Sequence, residues 1–201
     1  MYASESVAEQ LVQKAVEIAG KRDHALLAAL DDLPAPIYVI DAAGFITYFN
    51  RACIDFSGRM PTIGQDRWCV TWKLYTDRGE FLPHDQCPMA VAIYGRRPVR
   101  GVIAVAERPD GTRVTFEPYP APLFDADGTL LGGVNILIDV TDSRQAAFLE
   151  SQASRCRRLA AAVGDRQTAG TLCLLAREYE RKAAELTRAP PARACGAAAR
   201  R

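Results

Sequence analysis

The side chains best suited to chemistry stand together at His84-Asp85-Gln86-Cys87-Pro88-Met89. Imidazole, thiol and thioether are donor types that hold iron. The same run also reads as a helix start. Asp85 is placed to cap it, Pro88 suits its first turn, and Cys87 and Met89 then turn inward, which is the simpler reading. Cys53, Cys69, Cys87, Cys156, Cys173 and Cys195 include no C-x-x-C pair, so the usual spacing of a structural zinc site is missing. A second group is aromatic. Tyr48, Phe56, Trp68, Trp72 and Phe116 have the shapes to frame a flat ligand, and aromatic walls with one or two polar groups are the usual form of a small-molecule site. Being aromatic, they serve equally well as ordinary core. Catalytic signatures are missing: there is no Gly-x-Ser-x-Gly, no His-Glu-x-x-His and no glycine-rich phosphate loop, and His24 and His84 lie far apart. The sequence therefore reads as a binding protein and not an enzyme, with no catalytic residue assigned.

Those groups must be positioned by a chain of 201 residues, of which 49% are hydrophobic. That suits one domain with extensions. The net charge of +1 is unevenly spread. Residues 1–142 hold 13 basic and 19 acidic side chains, and residues 143–201 hold 12 and 5. A basic interaction segment and a solvated helical face both account for this. No apolar run approaches the roughly 20 residues that span a bilayer. The opening MYASESVAEQ has no basic or apolar signal region. The expected location is the cytoplasm, with thiols mostly reduced and no membrane partner.

Ser4 to Leu33 reads as helical, with Val7, Leu11, Ala15 and Ile18 as one stripe. Gly20 interrupts it, His24 to Leu33 forms a second run, and Pro34 and Pro36 stop that run. Ile37–Asp41 and Phe45–Asn50 flank Ala43-Gly44 as a hairpin. Arg51–Gly58 is helix-compatible, Arg59–Pro83 is mixed and aromatic, and Asp85–Tyr94 reads as a helix. Val99–Glu107, Arg113–Leu123 and Leu130–Val140 read as strands separated by Asp-Gly turns. In the last strand Val134, Ile136, Ile138 and Val140 face one way, and Gly133, Asn135 and Leu137 the other. Asn135 is then either exposed or hydrogen-bonded inside. Ser143–Ala162 and Arg166–Thr187 read as a helical hairpin broken at Gly164-Asp165, with Leu172, Leu175, Tyr179, Ala183 and Leu186 as the second helix's stripe. The remaining tail is read as disordered.

This order of elements resembles the PAS family, as do three phrases: PAPIYVIDAAGFITYFN, LYTDRGEFLPHDQCPMAVAIYGRRPVRG and ERPDGTRVTFEPYPAPLFDADGTLLGGVNILIDVTD. The resemblance covers roughly residues 26 to 145. It implies an α+β PAS fold: a five-stranded antiparallel sheet with short helices on one face, flanked by an N-terminal helix and a C-terminal helical hairpin. The implied segments are a helical region 1–33, a sensor domain 34–142, a hairpin 143–188 and a tail 189–201. Asp139-Val140-Thr141-Asp142 matches the family's exit motif, which assigns Asp139 and Thr141 to signal relay. No Asn-Cys-Arg flavin motif occurs, which disfavours a cysteine–flavin adduct.

The resemblance implies a cytoplasmic sensory module. It would bind a small molecule or cofactor through Tyr48, Phe56, Trp68, Trp72, His84, Phe116 and Asn135. It would act as a homodimer and relay its state to a signalling protein in trans, such as a sensor kinase or a transcription regulator. One alternative is a haem-based redox or gas sensor with His84 as axial ligand and Cys87 or Met89 assisting. Another is a ligand-free interaction scaffold. Apart from haem, no metal is expected, the cofactor is left unknown, and nucleic acid is the weakest partner reading.

Overall fold

The computed structural model describes residues 2–20, 30, 31, 33 and 35–188. Most of the expected run His24–Leu33 and the tail 189–201 lie outside the described residues. The chain divides into two units, Met1–Val140 and Thr141–Arg201.

In the first unit, helix α1 (Tyr2–Gly20) precedes strands β1 (Ile37–Asp41) and β2 (Ile46–Phe49). Helix α2 (Arg51–Ser57) and strand β3 (Lys73–Thr76) follow, then a 3-10 turn (His84–Gln86) and helix α3 (Pro88–Gly95). Strands β4 (Ala104–Glu107), β5 (Arg113–Pro118), β6 (Ala121–Phe124) and β7 (Leu130–Asp139) complete it. The strands form one antiparallel sheet in the order β2-β1-β7-β5-β4-β3, with β6 also paired to β7.

The fold class is as expected, but the sheet has more than five strand segments. β3 adds an edge strand beside β4, with Leu74 opposite Ala106. The expected strand Arg113–Leu123 is two: β5 pairs with Leu137–Asp139, and β6 with Leu130–Val134. Pro118 and Pro120 flank the break, and proline offers no N–H to a ladder. Tyr119 between them still donates its N–H to the Ile136 carbonyl at 2.8 Å. The strand expected at Val99 starts only at Ala104.

Each face of the sheet has its own core. On the outer face, Ile37, Val39, Ala121, Val134 and Ile136 cluster with Val12, Ala15 and Ala19 of α1. The α1 stripe thus runs through Val12, Ala15 and Ala19, with Leu11 and Ile18 at its margins. The inner face carries Tyr38, Ile40, Phe116 and Leu137, which cluster with Cys53 and Phe56 of α2 and Met89, Ala90 and Ile93 of α3. β7 feeds both cores, because alternate residues of a strand face opposite ways. Two glycines make this possible. Gly132 has φ +146, and a Cβ there would stand 2.0 Å from the Ile40 carbonyl oxygen. A Cβ on Gly133 would stand 2.9 Å from Ile93 Cδ1 and 3.0 Å from Met89 Cε, so its bareness lets α3 lie close to β7.

Asn50 locks the start of the sheet. Fully buried, its amide accepts from Ile37 N–H at 3.0 Å and Cys53 N–H at 3.3 Å. It also donates to the carbonyls of Ala35 at 2.8 Å and Leu30 at 3.2 Å. One side chain thereby caps α2 and satisfies the backbone at the entrance to β1.

The second unit consists of α4 (Thr141–Ala162) and α5 (Arg166–Thr187). Asp165 caps α5, its carboxylate accepting from Thr168 N–H at 2.8 Å. Ala153 and Cys156 meet Ala176, with Tyr179 packed alongside. Leu175, expected on the apolar stripe, is 41% exposed, and Ala176 takes its place on the seam. Small seam residues suit close helix packing. Arg157 and Glu180 bridge the two helices at 2.7 Å.

Candidate ligand site in the inner core

The polar atoms of the inner core converge on Tyr38. Register places Tyr38 opposite Asn135 on the inner face. The Tyr38 hydroxyl donates to the Trp68 carbonyl at 2.8 Å and accepts from Asn135 Nδ2 at 3.0 Å. Asn135 Oδ1 is buried with no hydrogen-bond partner among the described residues. An unpaired buried carbonyl costs about 1–3 kcal/mol, and among the described residues Asn135 Oδ1 is the buried side-chain polar atom left without a partner. Cys87 Sγ points to the same Trp68 carbonyl at 3.8 Å. Thr71 Oγ1 lies 3.2 Å from Cys69 Sγ and 3.3 Å from His84 Nε2. A thread of polar atoms thus leads inward from half-buried His84.

Among the described residues the buried polar side chains are Asn50, Ser57, Thr71 and Asn135, with no buried Asp, Glu, Lys or Arg. Burial pushes the Tyr38 hydroxyl well above its ordinary pKa, reinforced by Cys69 and Cys87. Burial, with Cys69 second, pushes the Cys87 thiol up to about 12. Burial also raises Cys53, whose Sγ donates to the Ile37 carbonyl at 3.2 Å. The Cys53 and Cys87 thiols and the Tyr38 phenol are therefore neutral at physiological pH, and they offer hydrogen bonds without charge. His84 shifts the other way: burial first, then the Arg59 guanidinium, lower its pKa.

Trp68 closes the core at the β1–β2 turn. It has φ +68, a left-handed backbone uncommon outside glycine. A Cβ on Gly44 would stand 2.8 Å from three indole carbons. The indole also meets the Tyr94 ring, with centroids 5.2 Å apart. Phe56 and Phe116 pack edge to face at 5.3 Å.

Of the residues singled out in the sequence, Phe56, Trp68, Phe116 and Asn135 share the inner core. Tyr48 does not: it packs with the outer cluster, and its hydroxyl donates to Asp31 Oδ1 at 2.9 Å. Trp72 is 51% exposed. His84 lies at the margin, on Thr71, whereas Cys87 and Met89 are fully buried. Asp85 sits within the 3-10 turn and does not cap α3, whose N-cap is Cys87. Among the described residues, no three His, Cys, Asp or Glu side chains gather as an ion site. Asp139 ends β7 opposite Phe116, and Thr141 opens α4. Tyr38 and Cys69 were missed as site residues. The signal for Tyr38 was available, since alternation along IYVID places it on the face opposite Ile37 and Val39.

Comparison with protein families matches residues 30–145, more than half of the chain, to the family described as PAS fold. Among solved structures, a light-oxygen-voltage domain from a flavin-analogue study is 16% identical, with 66% of this chain and 97% of that one covered and a TM-score of 0.47. The light-oxygen-voltage domain of the Erythrobacter litoralis EL346 blue-light activated histidine kinase is 21% identical, covering 54% and 98%, with a TM-score of 0.40. The PAS domain of the fruit-fly ELK potassium channel is 14% identical, covering 58% and 95%, with a TM-score of 0.46. No curated protein matches the chain. The family assignment rests on the family match and not on these distant overlaps.

Proposed function

The chain belongs to the PAS-fold family, and from that premise we propose that it is a sensory module whose inner core binds a small uncharged molecule. The observation that carries this reading is Asn135 Oδ1: buried, unpaired among the described residues and mounted on the strand that runs into α4. A ligand N–H or O–H donated to that oxygen satisfies a group that otherwise costs stability. Because the surrounding polar atoms are neutral, the ligand that fits is neutral too. Binding would favour one arrangement of β7 over another, and Asp139 and Thr141 stand where β7 gives way to α4. The signal is then a population shift, read by a protein partner from the helices after Thr141. Action as a homodimer in the cytoplasm completes the proposal. Among the described residues, no helix is long and apolar enough to cross a membrane.

Native mass spectrometry of the purified chain tests it, together with an absorption spectrum. The expected result is an added small-molecule mass on the wild type that is lost in Asn135→Leu, while the variant keeps its circular dichroism spectrum. A Soret band abolished by His84→Ala would replace this reading with a haem sensor. A bare chain in both proteins, with Asn135→Leu the more stable, would point to an interaction scaffold.

A further inference from the structure

A concave site lies on the surface of the first unit, and neither Tyr38 nor Asn135 lines it. It is a groove of about 260 Å³ lined by Leu82, Pro88, Val91, Val102 and Ile103, with Thr76, Asp77, Gln86 and Val99 completing it. Asp77 is the one charged group in that lining. Its carboxylate makes no ion pair or hydrogen bond among the described residues, and neither does the Gln86 amide. Asp77 is an exposed residue of the turn after β3, closed by the Gly79 N–H on the Thr76 carbonyl at 3.0 Å, so its carboxylate stands solvated at the edge of the apolar groove. It is a ready counter-charge for a cation whose apolar part lies against valine and proline. The volume falls just below the 300–1,000 Å³ of drug-sized sites, which selects a small occupant with one ring or a short chain. Half-exposed Val91 shows that the groove opens to solvent, so an ammonium can keep part of its hydration while meeting Asp77.

We propose that this groove binds small apolar ammonium compounds, with the amine on Asp77 and the hydrocarbon against Leu82, Pro88 and Val91. The site also has a route inward. Leu82 packs against the inner cluster, and its N–H donates to the Leu74 carbonyl at 2.8 Å. Pro88 opens α3, which lies on Gly133 of β7.

The test is a nuclear magnetic resonance titration of the ¹⁵N-labelled full chain with three probes of similar size: phenethylamine, phenethyl alcohol and phenylacetate. Saturable shifts at Val91, Val102 and Ile103 are expected with phenethylamine. The alcohol should bind about two- to fivefold more weakly, as befits an exposed ion pair, and phenylacetate more weakly still. Asp77→Asn should bring amine and alcohol level. Val91→Trp, a change at a solvent-facing position that fills the groove, should abolish all three while Asn135 resonances stay in place. Equal binding of the three probes by the wild type would overturn the proposal, as would the absence of shifts at those residues. Neither outcome bears on Asn135, so this inference and the inner-core reading fail separately.

Discussion

Consecutive residues of β7 live in different chemical worlds. Val134 and Ile136 join a core made mostly of aliphatic and alanine side chains, with Tyr119 among them and Tyr48 at its edge, closed by α1. Asn135, between them, meets the Tyr38 phenol, which in turn donates to the Trp68 carbonyl with the Cys69 and Cys87 thiols nearby. Both faces exclude water, yet the outer one is mostly hydrocarbon, with tyrosines at its edge, and the inner one carries a chain of polar atoms held by specific partners. The outer face follows from burial alone, at about 25 cal/mol per Å² of apolar surface. The inner face spends part of that gain on groups that need exact partners, and one of them, Asn135 Oδ1, has none among the described residues. Adhesion and recognition are thus assigned to opposite sides of a single sheet.

The largest expected effect comes from the outer face. Ile136→Ala should lower stability by about 2–5 kcal/mol in urea denaturation, because the fully buried side chain leaves a cavity beneath α1. A loss under 1 kcal/mol would mean that this face is loosely packed, and the contrast would collapse. Tyr38→Phe comes next, at about 1–3 kcal/mol. It keeps the ring but strands Asn135 Nδ2 and the Trp68 carbonyl together. Urea denaturation of Tyr38→Phe, Asn135→Leu and the double variant would sharpen the point: the two changes should be non-additive if the hydroxyl and the amide act as one unit.

The smallest effect concerns pH. The His84 pKa is lowered in the folded chain, so between its ordinary value of about 6.5 and the folded value the unfolded chain takes up the proton first. Stability from this residue is complete above about pH 6.5 and falls as acidification proceeds toward the folded pKa. His84→Gln should flatten that limb of a melting-temperature profile between about pH 7 and pH 5. An unchanged slope would remove His84 from the margin of the inner core.

Much of this organisation was legible in the residues. The alternation of β7 predicted its two faces, and Gly44, Gly111 and Gly128, all at positive φ, mark the turns where they were expected. Helix α5 runs over the expected Arg166–Thr187. The misses have physical reasons. β3 is four residues long and held by its pairing with β4, a long-range contact that local pattern does not encode. Asp85 has the chemistry of a cap, but the chain tightens into a 3-10 turn there and the helix begins at Pro88. Tyr48 and Trp72 were grouped with the site because they are aromatic, and ring chemistry says nothing about which face of a strand a side chain takes. For Tyr38 the alternation was visible, but its partner Asn135 is 97 residues away.

The shared strand also constrains how such a protein can change over generations. Substitutions at Asn135 or Leu137 can retune the inner chemistry while Val134 and Ile136 go on holding α1. A single inserted or deleted residue within Leu130–Asp139 would exchange the two faces beyond it, setting an amide into hydrocarbon and an aliphatic chain among the polar partners. New specificities can therefore accumulate by replacement along β7, while changes in length are left to the turns, such as Asp125–Gly128, that lie outside the ladder.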